Sequence, residues 1–157
     1  MASPTAKPPT AGMAFVTLTT HGRRPIFQIS RLAELLIATL LHYRTQGHYK
    51  LHAYLVMPDH IHLILTPRRM PLAHAVHLIQ LGFAHRLDSK IPIWETSYTA
   101  YSIRSLRDLA TIRGYLHQVP VRAHLTPTAE LYPYSSAYRT VPLQAVDQHA
   151  SSATDGR

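Results

Sequence analysis

Apolar residues change their period several times along this chain, and each change marks an element. "MAFVTLTT" at 13–20 is rich in aromatic and β-branched residues and predicts a first strand, ended by the "HGRRP" loop. Between Ser30 and Thr45 the period lengthens. Leu32, Leu35, Leu36, Leu40 and Leu41 recur at helical spacing behind Ser30 as N-cap, and Gly47 closes the helix. "LHAYLVM" (51–57) and "IHLILT" (61–66) are strand-like runs joined around Pro58 and Asp59 at hairpin spacing. Helical spacing returns over 71–89 through Leu72, Val76, Ile79 and Phe83, with Gly82 as its weak point. "IPIWETSYTAYSIR" (91–104) predicts a fourth strand, and Ser105 with Asp108 opens a third helix that Pro120 is expected to end.

The order β-α-β-β-α-β plus one helix predicts an α+β chain of ferredoxin-like (split βαβ) type, an antiparallel sheet with helices on one face and an additional C-terminal helix. The patterning supports one folded domain over 13–140, flanked by disordered tails at 1–12 and 141–157. That fold hosts unrelated functions, so the site has to decide. The absence of cysteine excludes disulfides, thiolate metal sites and a thiol nucleophile. No apolar run is long enough to span a membrane and "MASPTAKPPTAG" lacks a signal-peptide core, which together predict a soluble, cytoplasmic protein. Sixteen Lys and Arg against eight Asp and Glu give +8, which points to a polyanionic partner with nucleic acid first. The basic residues are scattered among folded segments, which fits a binding surface better than a basic tail.

The candidate chemistry lies in "MPDHIHLIL" (57–65). With 12 histidines in 157 residues, H-x-H arises about once by composition alone, so the spacing carries nothing by itself. Placement matters more. In a strand, residues two apart share a face, so His60 and His62 stand side by side while Ile61 points the other way. Two imidazoles so placed can chelate one divalent ion, and they can equally be unpaired histidines on a partly exposed strand.

"MPDHIHLIL" resembles the M-P-[ND]-H-hydrophobic-H-L motif of the REP-associated tyrosine transposases, single-tyrosine HUH enzymes related to insertion-sequence transposases. In the same order "THGRRPIF" (20–27), "IWETSYTAYSIRS" (93–105), "YLHQVPVRAHL" (115–125) and "YPYSSAYR" (132–139) resemble that family's other segments, so the likeness spans about 14–139. It implies a metal-dependent nuclease and strand transferase for single-stranded DNA at hairpins, with His60 and His62 as metal ligands and Tyr115 on the last helix as nucleophile. Mg²⁺ or Mn²⁺ is the implied cofactor. A phenol with a pKa near 10 needs help against an anionic phosphodiester, which an ion on the two imidazoles would give. Arg23, Arg24, Arg104 and Arg122 are expected to hold phosphates, and Trp94 and Tyr98 to stack bases.

One position departs from the family. Four residues after the tyrosine the family carries a carboxamide that completes the metal site, and here Val119 stands there, so either Gln118 substitutes through a distorted last turn before Pro120 or water and substrate phosphate complete a two-imidazole site. His124 replaces the usual glycine after the helix. The departure leaves a second reading, a catalytically degenerate protein that binds DNA hairpins without cutting them. A metal-buffering role is disfavoured by the scattered spacing of the other ten histidines. Monomer and homodimer stay equally open.

Overall fold

The computed structural model describes residues 9–138. Strands β1 (Ala14–Thr19), β2 (Tyr49–Val56), β3 (His60–Pro67) and β4 (Thr99–Ser102) form one antiparallel sheet in the order β2-β3-β1-β4. Helices α1 (Ser30–Thr45), α2 (Leu72–Leu87) and α3 (Leu106–Arg122) complete the expected ferredoxin-like order. The strict alternation of β1 and β3 sorts their side chains between two cores. Ala14, Val16, Leu18, Ile61, Leu63 and Leu65 meet Leu36, Leu40, Ile79 and Phe83 of α1 and α2 on one face. On the other face Ile64, with Ala53 and Leu55 of β2, meets Leu109 and Leu116 of α3. His60 and His62 share parity with Ile64 and therefore lie on the α3 face.

Gly82, the weak point of α2 in sequence, is where that helix meets α1: a Cβ there would run into the Tyr43 ring. Close packing outweighs the helix cost of about 1 kcal/mol that glycine carries.

Three expectations are corrected. Ser30 is the first residue of α1, whose N-cap is Ile29 without a side-chain bond, and the Ser30 hydroxyl instead accepts a hydrogen bond from Tyr134 at 2.8 Å. The fourth strand is short because residues 94–98 leave the sheet after a single bridge from Trp94 to Thr20. Pro120 does not end α3, which runs two residues further. At that point only the Leu116 carbonyl loses a helical partner, and the chain closes afterwards with His124 in the left-handed region (φ 59°), donating to Val121 while Leu125 donates to Pro120. The glycine usual at this place would avoid a Cβ penalty that His124 carries.

The two expected tails fall mostly outside the described residues, although the Thr10 carbonyl accepts the Leu72 N–H at 2.8 Å and so ties residue 10 to α2. At the other end, residues 134–136 lie along the outer edge of β2 as a strap. Val56 N–H donates to Tyr134, Ser136 N–H to Tyr54, and the Tyr132 hydroxyl to Val56. No helix among the described residues is long and apolar enough to cross a membrane.

Candidate active site and nucleic-acid interface

The His60 and His62 rings stand 4.8 Å apart, centre to centre, at 78° to each other. Each has its Nδ1 engaged. His60 Nδ1 donates to Asp59 Oδ1 at 2.7 Å, which fixes the tautomer because a carboxylate only accepts. His62 Nδ1 lies 2.9 Å from Thr17 Oγ1, directly across the β1–β3 pair. When the Thr17 oxygen accepts from Nδ1, both Nε2 lone pairs are left for an ion, the arrangement by which an outer partner orients a ligating imidazole. Burial, with a smaller contribution from His60, pushes the His62 imidazole down to about 4. It is therefore neutral at neutral pH, the state in which a ring nitrogen ligates. Phe15 meets the His62 ring edge-on at 5.2 Å and holds it from the other side.

The donor set fits a divalent ion as a two-imidazole half-site. Among the described residues no group of three or more His, Cys, Asp or Glu could hold a metal. Val119 packs against the α3-side core, whereas Gln118 is exposed on the regular helix. The distortion of the last turn that would turn Gln118 inward is absent, because α3 continues through Pro120 to Arg122.

Helix geometry gives Tyr115 its direction. Leu109 and Leu116 face the sheet, and His117, bonded to Ser136 of the strap at 2.9 Å, marks the flank towards the outer edge of β2. Tyr115 is two residues from His117, about 200° round the helix, so it leaves from the opposite flank, towards β3 and β1. It is half exposed, and the Arg122 guanidinium carbon lies 5.1 Å from its ring centre. Two residues expected at the site are thus brought together.

The other expected residues divide. Arg23 is exposed and reaches Asp59 Oδ2 at 3.7 Å, which joins it to the histidine pair. Arg104 is exposed near the start of α3, away from these groups in sequence and without an ion pair among the described residues. Arg24 is tied into its loop, donating to the His21 and Pro92 carbonyls. Trp94 packs beside Phe27 and Phe83 and donates to the Gln80 carbonyl at 3.3 Å. These contacts account for the buried part of the indole, which stays partly exposed. Tyr98 lines a groove beside Thr17, Thr19, Arg23 and Glu95.

Sequence reasoning missed Asp59 and Thr17 as orienting groups, although Asp59 stood inside the quoted motif. It also missed a basic groove at the far end of the sheet, lined by Lys50, His52, Arg68 and Arg69 with Gln46 and Thr66. Lys50 pairs with Thr66 across β2 and β3, so these cations converge only through strand pairing. Among the described residues none of Lys50, Arg68 and Arg69 has a carboxylate within ion-pair distance. Burial, then Lys50 and Arg113, push the His52 imidazole down, as expected of uncompensated positive charge. Along β3 the groove lies roughly 20 Å from His60.

The sequence model described as Transposase IS200 like matches residues 12–119. A solved REP-associated tyrosine transposase bound to a REP hairpin shares the fold at a TM-score of 0.73 and 20% identity, over 88% of this chain and 84% of that one. A structure from Deinococcus radiodurans R1, described as a transposase, gives 0.52 and 21%, over 75% of this chain and 95% of that one. A search of curated proteins finds no match.

Proposed function

Because this chain belongs to the IS200-like transposase family, matched over 12–119, we propose that it is a metal-dependent nuclease and strand transferase for single-stranded DNA at hairpins. The observation that carries this reading is the pair of imidazoles with both Nδ1 atoms engaged, on the sheet face that also receives the Tyr115 helix. His60 and His62 would hold Mg²⁺ or Mn²⁺, which when bound supplies charge stabilisation at the scissile phosphate.

The residues of the chain account for the remaining steps. The Tyr115 oxygen attacks phosphorus, an O–P bond forms and the bond to the 3′-oxygen breaks. The phenolic proton is lost to solvent and the 3′-oxygen takes one up. The products are a 5′-phosphotyrosine and a free 3′-hydroxyl, and rejoining reverses the step with a second 3′-end. Arg122, over the phenol ring, offers a guanidinium to phosphate oxygens at the place where charge builds. Lys50, Arg68 and Arg69 grip the phosphates of the hairpin stem, in keeping with the REP hairpin bound by the similar solved transposase. In this reading one chain supplies both nucleophile and histidines, which the packing of α3 on the sheet and its bond to the strap support.

A second reading is favoured by Val119, which packs where the family's carboxamide would stand and leaves no third ligand among the described residues: a hairpin-binding protein without turnover. A gel assay for a covalent protein–DNA band separates the two. The enzyme reading expects a band with Mg²⁺ or Mn²⁺ and hairpin DNA, and its complete loss in Tyr115→Phe with binding preserved. Hairpin binding in EDTA with no band under any metal condition would establish the second reading.

A further inference from the structure

We propose that the groove beside the histidine pair is a base-reading pocket that selects, next to the scissile phosphate, a nucleobase bearing an exocyclic amino group, with Glu95 as the reading group and Tyr98 as its stacking wall. The inference rests on the functional reading above and adds a specificity determinant to it.

The groove, about 590 Å³, is lined by Thr17, Thr19, Arg23, Glu95, Tyr98 and Thr99. It adjoins the histidines by strand register, since Thr17 pairs with His62 and Thr19 with His60 across β1 and β3. It is open because the α3-side core reaches Phe15 and Ile103 but does not include Thr17, Thr19 or Thr99. A phosphate held at His60 and His62 would therefore place its neighbouring base over this opening. The volume falls within the range of small-molecule sites, large enough for a base and part of its sugar.

The chemistry of the walls is selective. Glu95 Oε1 accepts the Gly22 N–H at 2.8 Å, which fixes the carboxylate and leaves Oε2 with no donor among the described residues. Arg23, Glu95's neighbour in the groove, is held towards Asp59. In a chain of formal charge +8 whose partner is a polyanion, a carboxylate in the groove opposes the backbone. It becomes favourable only by accepting a hydrogen bond from the base. The amino groups of cytosine, adenine and guanine satisfy it. Thymine offers only an N–H flanked by two carbonyl oxygens, which bring partial negative charge against the carboxylate. Tyr98, half-buried beside Glu95, gives an aromatic wall that serves any base alike.

The test uses DNA hairpins with a short single-stranded extension of dC, dA or dT on either side of the stem, titrated by fluorescence anisotropy in EDTA so that nothing is cut. The wild type is expected to bind the dC and dA extensions about tenfold more tightly than dT. Glu95→Gln keeps an oxygen for Gly22 but presents an amide donor, and should bring that ratio to near one. Tyr98→Leu, which keeps apolar packing, should weaken all three alike. Equal affinity for the three extensions in the wild type, or an unchanged ratio in Glu95→Gln, overturns the pocket while leaving the hairpin reading intact. Failure to bind any of the hairpins sinks both.

Discussion

The two ends of the sheet's α3 face are built on opposite rules. At one end His60 and His62 are held by Asp59, Thr17 and Phe15, and half-buried. At the other end Lys50, Arg68 and Arg69 are exposed and have no carboxylate partner among the described residues. Chemistry at a phosphorus atom needs groups fixed to within a fraction of an ångström, so its side chains are locked by second partners. Holding a backbone needs charge over an area, and flexible cations suit it because each phosphate is like the next. In the proposed function, rigid geometry and charge without a carboxylate partner among the described residues are therefore separable signs of two tasks.

The largest test of that separation removes the charge. Replacing Lys50, Arg68 and Arg69 together by alanine should weaken hairpin binding by roughly a hundredfold at physiological salt and flatten the salt dependence by about two to three in slope. Calorimetric titration of Mn²⁺ in the absence of DNA should be unchanged. Loss of metal binding in the triple variant would show the two ends to be coupled.

The converse variant acts on the rigid end. Asp59→Asn takes away the carboxylate that sets the His60 tautomer, and Mn²⁺ affinity is expected to fall by about ten- to a hundredfold. Hairpin binding in EDTA should stay within about twofold. An equal drop in both titrations would break the comparison.

Acid gives the smallest effect. Burial holds His62 at about 4, below the ordinary 6.5, so between those values the unfolded chain binds a proton that the folded chain refuses. Stability is therefore complete above about 6.5 and declines as pH falls towards 4, by about 2 kcal/mol at pH 5 as an upper figure. His52 and His117 are lowered in the same direction, each chiefly by burial. Thermal melts should lose several degrees between pH 7.5 and 5. A melting temperature equal at both would mean that His62 is solvated more freely than its packing indicates.

Element order was legible because periodicity depends on local spacing. Leu36, Leu40, Ile79 and Phe83, picked out by spacing, are all buried. The His60–His62 face was legible for the same reason. What pairing and capping decide was not. Whether Ser30 caps a helix or receives Tyr134 depends on a residue 104 positions away. That the Trp94 indole meets Phe83 and the Arg24 guanidinium binds loop carbonyls could not be read from composition. The groove of Lys50 and Arg68–Arg69 was hidden because its members meet across a strand pair.

The strap has a consequence in time. Its bonds close very large loops, Tyr54 to Ser136 across 82 residues and Ser30 to Tyr134 across 104. Closing such loops costs entropy before any contact rewards it, whereas the β2–β3 hairpin that carries the histidines is local. The imidazole pair thus sits on a local hairpin, whereas the strap that holds the Tyr115 helix through His117 and Ser136 is made of long-range contacts. By loop entropy the hairpin that carries the histidines is expected to form ahead of the strap contacts that fasten one flank of the Tyr115 helix.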